Sequence, residues 1–374
     1  MITGTYPPAR CGVGDHSQLL CENLALLGAE VDVITSSWLN IPERDCNPAL
    51  HPVIRGWTPL HFAQSVSAMA ARRADIYHFQ FPTRAVSKRV SPFLHPPTIS
   101  LLRRRSKVVV TFHEPPVVNA REHLLKALGR FVQSGLATRG VNGVVILEPR
   151  YEQSLKSSFS RLKKIPFLFS GNASILPQSR LSVEERMALR SQLGITSRQL
   201  LLSYIGYVVP PKGFEDIIEV LSLLRGRGLD AYLLVLADLT PQDGYHRRLR
   251  ELIQQKQLEG HTRIVGYLDR TKAADYLAIS DVCLLPFREG VGPKSGTFLA
   301  STTQGILTIT TSLERRGYVE SENAYYVAPG NIPEMADAAQ RYGGRRTDGT
   351  GNPKDLWLQI AQRHIDFYRQ LLSS

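Results

Sequence analysis

Residues 201–224 read LLSYIGYVVPPKGFEDIIEVLSLL, and this stretch carries the strongest structural signal in the chain. Leu201–Ile205 is a short apolar run that predicts a buried strand, and a turn rich in glycine and proline follows it. Beyond the turn, four apolar residues recur at the spacing of one helical face: Ile217, Ile218, Leu221 and Leu224. A strand, a loop and an amphipathic helix in this order are the repeating unit of a parallel sheet covered by helices.

The same alternation continues on both sides of this stretch. In the second half, further strands are predicted at Ala231–Leu236, Arg263–Val265, Val282–Leu285 and Leu307–Thr310. In the first half, the predicted strands are Ile2–Thr5, Val31–Thr35, Asp75–Gln80, Val108–Phe112 and Val144–Leu147. We therefore predict an α/β protein of two doubly wound domains in series, with the ligand in a cleft between them at the carboxyl ends of the strands.

The domain boundaries follow from a break in this pattern. The stretch from Pro166 to Pro177 contains Gly171 and Asn172 and has no clear periodicity, so it reads as a domain crossing. We predict an N-terminal domain over 1–165, a linker over 166–195, a C-terminal domain over 196–353 and a final helix over 354–374. The first strand has almost no residues before its loop, so the chain begins abruptly inside a predicted buried element.

Composition excludes several classes of protein. Hydrophobic residues make up 43% of the 374 residues and charged residues 21%, which is ordinary for globular domains and argues against disorder. No run approaches the ~18 apolar residues of a membrane-spanning helix, and no charged segment followed by an apolar one marks a signal peptide. The four cysteines are scattered, without CxxC pairs, which argues against structural zinc and suits a reducing cytoplasm.

The net charge of +12 predicts an anionic partner. Basic residues cluster between two predicted strands of the first half, and apolar residues lie among them. Such a segment is either a solvated face or a patch that holds the protein against an anionic membrane surface. Nucleic acid is disfavoured because no recognition motif is present. The residues of this basic segment are Arg84, Lys88, Arg89, Phe93, Leu94, Leu101, Leu102, Arg103, Arg104, Arg105 and Lys107.

The loop Pro7-Pro8-Ala9-Arg10-Cys11-Gly12-Val13-Gly14-Asp15 leads into the first predicted helix, with Asp15 as its expected N-cap. Glycines here let backbone N–H groups approach an anion at the positive end of a helix dipole. A nicotinamide cofactor would require a third glycine, and Ser17 stands at that position. The loop is therefore either a tight structural turn or a substrate-binding loop.

Two further loops offer single candidate side chains. His113 directly follows a predicted strand, so it faces the ligand side of the sheet if it is not a buried structural histidine, and Glu114 beside it is equally suited to capping. Lys212 immediately precedes a glycine and a helix, where an ammonium group can meet a phosphate that the helix N-terminus also attracts. The alternative is an exposed lysine in a turn stiffened by proline.

The loop from Asp281 to Thr297 is the richest in functional groups. The strand at its start runs into three glycines, the carboxylate of Glu289 and the cations Arg288 and Lys294, with a helix expected to start at Ser295. Glycines allow close approach of a ligand to the backbone, and a carboxylate accepts hydrogen bonds from sugar hydroxyls.

These four segments, in their order and spacing, resemble the retaining GT-B glycosyltransferases of family four, whose members include relatives of sucrose synthase and of lipid-linked mannosyltransferases. The opening glycine loop is similar to that family's, and Thr111–Glu114 is similar to its T-x-H-[DE] segment. Residues 205–214 are similar to F-G-R-x-x-x-x-K-G, and residues 280–290 to S-D-x-x-x-x-P-S-x-x-E-G. The final helix, with Trp357 and His364, resembles the helix that closes such proteins by packing back on the first domain.

The resemblance implies the transfer of a sugar from a UDP- or GDP-sugar, with retention of configuration and without a metal or other cofactor. It implies a saccharide or polyprenyl-diphosphate-linked acceptor used in surface polysaccharide assembly. Lys212 would bind the diphosphate, His113 would contact the transferring sugar, and Glu289 would bind sugar hydroxyls. The remaining implied residues are Gly12, Gly14, Tyr207, Gly290, Val291, Gly292, Lys294 and Thr297 on the donor, and Asp15 on the acceptor side.

Two positions depart from the family pattern. Tyr207 replaces the arginine of the G-R pair, and Thr297 replaces a second glutamate that usually lies on the ribose. Losing a charged hydrogen bond to the donor costs about 1.5–3 kcal/mol, so an active enzyme needs compensation, for which Lys294 and Arg288 are the expected cations. The alternative is a GT-B protein that has lost catalysis and serves as a binding or partner subunit.

Overall fold

The computed structural model describes residues 1–82, 86, 89–114, 124–292 and 294–374, with only the backbone described for 124–127. The chain divides into two units. Unit 1 comprises Met1–Asn172 and Leu356–Ser374, and unit 2 comprises Ala173–Asp355.

Unit 1 is a parallel sheet with helices before and after its strands. Its strands run in the order β3-β2-β1-β4-β5-β6-β7, and the named strands pair in parallel. The strands are β1 (Ile2–Thr3), β2 (Asp32–Ser36), β3 (Ala49–Ile54), β4 (Ile76–Phe81), β5 (Lys107–Phe112), β6 (Gly143–Ile146) and β7 (Phe167–Phe169). The helices are α1 (Gly12–Leu26), α2 (Phe62–Ala71), α3 (His95–Leu102), α4 (Leu124–Ala137), α5 (Arg150–Ser158) and most of α12 (Pro353–Ser373).

Unit 2 repeats this plan with one antiparallel edge strand. The strand order is β10-β9-β8-β11-β12-β14-β13, and β13 runs antiparallel to β14. The strands are β8 (Leu200–Ile205), β9 (Ala231–Leu236), β10 (Thr262–Ile264), β11 (Val282–Leu285), β12 (Leu307–Thr311), β13 (Gly317–Val319) and β14 (Ala324–Val327). The helices are α6 (Val183–Gln192), α7 (Phe214–Gly226), α8 (Gly244–Gln255), α9 (Arg270–Ala278), α10 (Gly296–Thr303) and α11 (Ile332–Tyr342).

The segment 166–195 is not the linker that its prolines suggested. Its first part forms β7, which pairs with β6 in the sheet of unit 1, and its last part forms α6 of unit 2. The chain passes from one unit to the other between Asn172 and Ala173. The prolines obscured a strand of three residues, which is too short to show a period.

The first helix also begins earlier than expected. Its N-cap is Cys11, which makes no side-chain capping hydrogen bond, and Asp15 lies in the first turn instead of at the cap. The amide of Asp15 donates to the carbonyl of Cys11. Gly12 and Gly14 are therefore the first residues of a helix and not part of the preceding loop.

Both sheets change direction at an equivalent point. In unit 1 the chain runs from β1 outward to β3 and then returns to place β4 on the other side of β1. In unit 2 it runs from β8 outward to β10 and then places β11 beside β8. Loops that leave neighbouring strands at such a switch point diverge onto opposite faces of the sheet and open a crevice at the strands' carboxyl ends. The loops that carry Lys212 and Glu289 both leave the switch point of unit 2.

Candidate functional site

The loops after β8 and β11 pack directly on each other in unit 2. The amide of Arg288 donates to the carbonyl oxygen of Pro211 over 3.0 Å. Gly213 has φ +66°, and a Cβ atom there would lie 2.2 Å from the carbonyl oxygen of Pro286. Only glycine fits this position, because any side chain would be strained and would overlap the neighbouring backbone. The lack of a side chain at Gly213 thus allows the two loops to pack against each other.

This contact places Lys212 over an aromatic ring. Its Nζ lies 4.3 Å from the ring centroid of Phe287, a buried side chain at the end of β11. Burial lowers the pKa of Lys212, and the nearby charge of Lys294 lowers it further. The two like charges repel each other, so an anion that binds near both lysines would relieve an unfavourable interaction.

The two helices at this switch point differ in how their N-termini are neutralised. The first turn of α7 carries its own carboxylates, Glu215 and Asp216, whereas the first turn of α10 carries no acidic residue. The N-cap of α10, Ser295, makes no side-chain capping bond. The positive end of the α10 dipole is therefore the one left for an external anion. The sequence predicts instead that the N-terminus of the helix after Lys212 attracts the anion.

Arg288 is committed to the protein instead of to a ligand. Its guanidinium donates to the Oδ2 atom of Asp216 at 2.8 Å and lies 3.4 Å from Glu215. Burial raises the pKa of Asp216, and the charge of Arg288 opposes that shift. Of the two cations expected to compensate for Tyr207, Lys294 acts electrostatically on Lys212, whereas Arg288 pairs with the carboxylates in the first turn of α7.

In the loop after β11 the carboxylate of Glu289 is exposed, whereas several backbone amides are hydrogen-bonded within the protein. Glu289 is exposed. The amide of Gly290 donates to the Phe287 carbonyl and that of Val291 to the Thr311 carbonyl. These two amides, which were expected to face the donor, are thus already bonded. Of the three residues from Gly290 to Gly292, whose amides the resemblance directs at the donor, Gly292 is the one that donates no backbone hydrogen bond to a described residue.

Tyr207 and Thr297, the two departures from the family pattern, lie at the same loop pair. Tyr207 is half-exposed, and its carbonyl accepts a hydrogen bond from the hydroxyl of Tyr204 over 2.8 Å. A Cβ atom on Gly206 would lie 2.9 Å from the methyl carbon of Thr297. The glycine therefore lets the first turn of α10 approach the end of β8.

In unit 1, the loop after β1 brings α1 to the corresponding switch point. Gly14 packs on the backbone of Thr5, and a Cβ atom there would lie 3.2 Å from the Thr5 carbonyl oxygen. A Cβ atom on Gly12 would meet no protein atom within 4 Å. The structure therefore constrains the two positions differently. Gly14 has a packing reason, whereas nothing in the described structure requires Gly12.

His113 lies one residue beyond β5, as the sequence predicted, and it is 7% exposed. Its amide donates to the carbonyl of Phe81, which extends the β4–β5 ladder. Its Nε2 atom lies 2.6 Å from the Oε1 atom of Gln80. The neighbouring Glu114 is exposed, and one of its carboxylate oxygens lies 4.0 Å from the guanidinium of Arg130.

Sequence reasoning missed the side chains that surround His113. His16 on α1 meets its ring edge-on with the centroids 4.8 Å apart, and Trp357 on α12 meets His16 at 5.0 Å. Burial lowers the pKa of His16 to about 4, and the charge of His364 adds to the shift, so His16 is neutral near pH 7. No local pattern could have predicted this group, because its members come from the two ends and the middle of the chain.

Among the described residues, one group of three side chains has the composition of a metal site. Glu43 and Asp45 lie near His51 on the strand β3. Both imidazole nitrogens of His51 already face carboxylates, Glu43 at 2.8 Å and Asp32 at 2.8 Å, and the guanidinium of Arg72 lies 3.0 Å from Nδ1. A cation next to this arginine would be repelled, so the group is better explained as an ion-pair network.

The basic segment of unit 1 is described only in part. Arg84 and Lys88 lie outside the described residues. Phe93 is buried, whereas Leu101 is 70% and Leu102 57% exposed at the end of α3, directly before the arginines that follow this helix. Among the described residues, no helix combines the length and the apolar character needed to cross a bilayer.

A comparison with known protein families finds a match within unit 2, the unit that contains Lys212 and Lys294. Residues 185–342 match the family of glycosyl transferases group 1. The matched residues lie within unit 2 and make up less than half of the chain. The match agrees with the predicted resemblance to that family.

A curated protein similar to part of this chain is the alpha-D-kanosaminyltransferase of Streptomyces kanamyceticus, which is 24% identical over 168 residues. That match covers 42% of the present chain and 39% of the relative. The chain therefore matches about two fifths of the curated relative's length.

Solved structures of glycosyltransferases resemble the whole chain. The sucrose-phosphate synthase from Thermosynechococcus elongatus has a TM-score of 0.76 at 20% identity, with 100% of this chain and 98% of that one covered. HepE from Anabaena, solved with UDP and glucose, has a TM-score of 0.70 at 14% identity, with 100% and 98% covered. At these identities the likeness establishes the fold. The predicted GT-B fold class, two doubly wound α/β domains, is confirmed.

Proposed function

We propose that this chain is a retaining glycosyltransferase that moves a sugar from a nucleoside-diphosphate sugar to a saccharide or lipid-linked saccharide, without a metal ion. The observation that carries the proposal is that Lys294, directly before the N-cap of α10, acts electrostatically on Lys212, while the first turn of α10 carries no acidic residue. Fixed cations and a helix dipole at one point stabilise the negative charge that develops on a departing diphosphate. Divalent metal is unnecessary where such cations are present.

In the proposed reaction, the bond between the anomeric carbon and the diphosphate oxygen breaks while the acceptor oxygen bonds to the same face of that carbon. The acceptor's proton passes to the leaving diphosphate. Lys212 and Lys294 stabilise that diphosphate, and Glu289, an exposed carboxylate, accepts hydrogen bonds from hydroxyls of the donor sugar. His113, in unit 1, is assigned to the transferring sugar by the resemblance alone, and that role stays a prediction.

UDP is the first nucleotide to test, because HepE, which shares the fold, was solved with UDP and with UDP-glucose. A nucleotide that binds only the folded chain raises its melting temperature, and the rise grows with the logarithm of the ratio of ligand concentration to Kd. We expect UDP or GDP to do so in the wild type and much less in a Lys212→Ala variant. Hydrolysis of a panel of nucleotide sugars, with and without EDTA, then identifies the donor, and NMR of the anomeric proton in the product tests retention.

A second candidate function is favoured by Tyr207 and Thr297, which replace charged donor contacts. It is a GT-B protein that binds its ligand or partner without catalysis. Stabilisation by a nucleoside diphosphate, combined with no hydrolysis or transfer from any donor, would support this alternative. Turnover that resists EDTA would support the enzyme instead, and turnover abolished by EDTA would contradict metal independence.

We further propose that the enzyme acts at the cytoplasmic face of a membrane in surface polysaccharide assembly. The exposed Leu101 and Leu102, followed by the exposed Arg104 and Arg105, support contact with anionic lipid. Cosedimentation with phosphatidylglycerol vesicles should weaken in an Arg104→Glu/Arg105→Glu variant. Arg247→Glu/Arg248→Glu on α8 makes the same charge change elsewhere and should not weaken it; equal losses would show only a dependence on net charge.

A further inference from the structure

A chain of buried polar groups leads from His113 into the sheet of unit 1. The Oε1 atom of Gln80 lies 2.6 Å from Nε2 of His113, and Gln80 is only 1% exposed. On its other side, the Nε2 atom of Gln80 lies 3.1 Å from the sulfur of Met1 and 3.4 Å from Nε2 of His78. A buried amide with neighbours on both sides has one orientation that satisfies them all.

The neighbours of Gln80 determine that orientation. A thioether sulfur has no hydrogen to give, so the group that faces Met1 must be the amide nitrogen, which donates. The hydroxyl of Thr111 lies 2.6 Å from Nε2 of His78 and that of Tyr368 lies 2.5 Å from Nδ1, and either hydroxyl can donate or accept. With its nitrogen directed to the sulfur of Met1, Gln80 presents its oxygen to His113.

An amide oxygen can only accept, so the imidazole nitrogen that faces it must carry the hydrogen. We propose that Gln80 is a positioning residue that fixes His113 with its hydrogen on Nε2 and leaves Nδ1 as the acceptor nitrogen of the ring. The edge-on contact with His16, at 84° between ring planes, holds the ring in one orientation.

The first test needs no substrate. The full-length chain contains ten histidines, and labelling them with ¹⁵N gives ring nitrogen shifts that distinguish a protonated from an unprotonated nitrogen. The His113 signals are those lost in a His113→Gln variant. We expect the wild type to show the hydrogen on Nε2. A Gln80→Leu variant should show averaged shifts, and Gln80→Glu, which keeps an acceptor oxygen, should restore the protonated Nε2.

Gln64→Leu is the matched control, since Gln64 is also a partly buried glutamine of unit 1 with hydrogen bonds at both ends of its amide. It should leave the His113 signals unchanged. A hydrogen on Nδ1 in the wild type would overturn the proposal, and so would unchanged His113 shifts in Gln80→Leu. If Gln80→Leu does not fold, the wild-type and Gln80→Glu spectra still decide between the two tautomers.

A kinetic test rests on the proposed function and is separable from the spectrum. Gln80→Leu should lower kcat/KM for the donor by about tenfold. In a His113→Ala background it should have little further effect, because the two residues act as one unit. Additive losses would contradict action through His113. If no transfer activity exists, the proposed function fails while the spectrum still tests the tautomer.

Discussion

The Nζ atom of Lys212 lies 4.3 Å from the centre of the Phe287 ring, and this contact joins the loops after β8 and β11. A cation over an aromatic face is held by the ring's negative face without being neutralised. Lys212 thus keeps its charge available while its position is fixed. This arrangement suits a group that must meet a diphosphate without first having to be ordered.

Replacing Lys212 by alanine should lower turnover by a factor of ~100 or more, because one preorganised charge stabiliser is lost. Stability should change little, because the lost contact with the Phe287 ring and the removed repulsion from Lys294 oppose each other. Steady-state kinetics and thermal melts measure the two effects. Lys272→Ala is the control, because Lys272 is an exposed lysine of the same unit that also lies over an aromatic ring. Unchanged turnover in Lys212→Ala would remove its proposed role.

Arg288→Ala should destabilise unit 2 by about 1–3 kcal/mol, because it leaves the carboxylate of Asp216 unpaired with only 6% of its side chain exposed. Arg227→Ala removes a pair whose carboxylate, Asp337, is 65% exposed, and it should cost less than about 1 kcal/mol. Urea unfolding midpoints compare the two. If Arg288→Ala weakened nucleotide binding but not stability, Arg288 would be a ligand contact and our structural assignment would be wrong.

Gly213→Ala should cost more than about 2 kcal/mol, because the added Cβ atom meets the Pro286 carbonyl in a strained backbone conformation. Gly226→Ala, at the end of α7, meets no atom within 4 Å and should be neutral or stabilising by up to about 1 kcal/mol. Denaturant unfolding measures both. Equal stabilities for the two variants would show that the loops can separate without cost.

Gly12→Ala should fold with unchanged stability, since nothing in the described structure occupies the space of the new methyl group. If the loop binds substrate through close backbone approach, kcat/KM should nevertheless fall by about tenfold or more. Gly14→Ala, by contrast, should lower stability because of its contact with Thr5. Full activity in Gly12→Ala would favour the purely structural interpretation of this turn.

Unit 1 should lose stability as the pH falls from about 6.5 towards 4. Burial lowers the pKa of His16, His95 and His364 to about 4 each. As the pH falls, the histidines of the unfolded chain, with ordinary pKa values near 6.5, are protonated before those of the folded chain. The full contribution of these histidines to the free energy of unfolding is therefore present above about pH 6.5. In this window each histidine lowers the free energy of unfolding by up to roughly 1.4 kcal/mol for each pH unit of acidification.

Urea unfolding between pH 6.5 and 5 measures this slope while carboxylates are still ionised. His364→Leu removes one titrating ring, whose Nε2 atom is buried without a hydrogen-bond partner, and should make the slope shallower. His261→Leu, at a partly exposed position of unit 2, is the control and should not. A flat profile in the wild type would contradict the neutral, buried state of these histidines.

Many secondary-structure elements could be predicted because their signals are local. The apolar stripe of α7 is buried as expected, and Ser295 is the N-cap of α10. The missed elements lack such signals. β3 contains a histidine and a proline, and β7 has only three residues next to a proline. The N-cap of α1 was misplaced because Cys11 gives no side-chain bond that would mark it.

The alternation of strands and helices, and with it the fold class, follows from the amino-acid sequence alone. Its signals are periodicity and the positions of glycine and proline, which act over a few residues. The loops that meet at each switch point and the side chains that remain for a ligand depend on the packing of the folded chain. Arg288 meets Asp216 across 72 residues of chain and His113 meets Gln80 across 33, and such contacts depend on packing that no local pattern records.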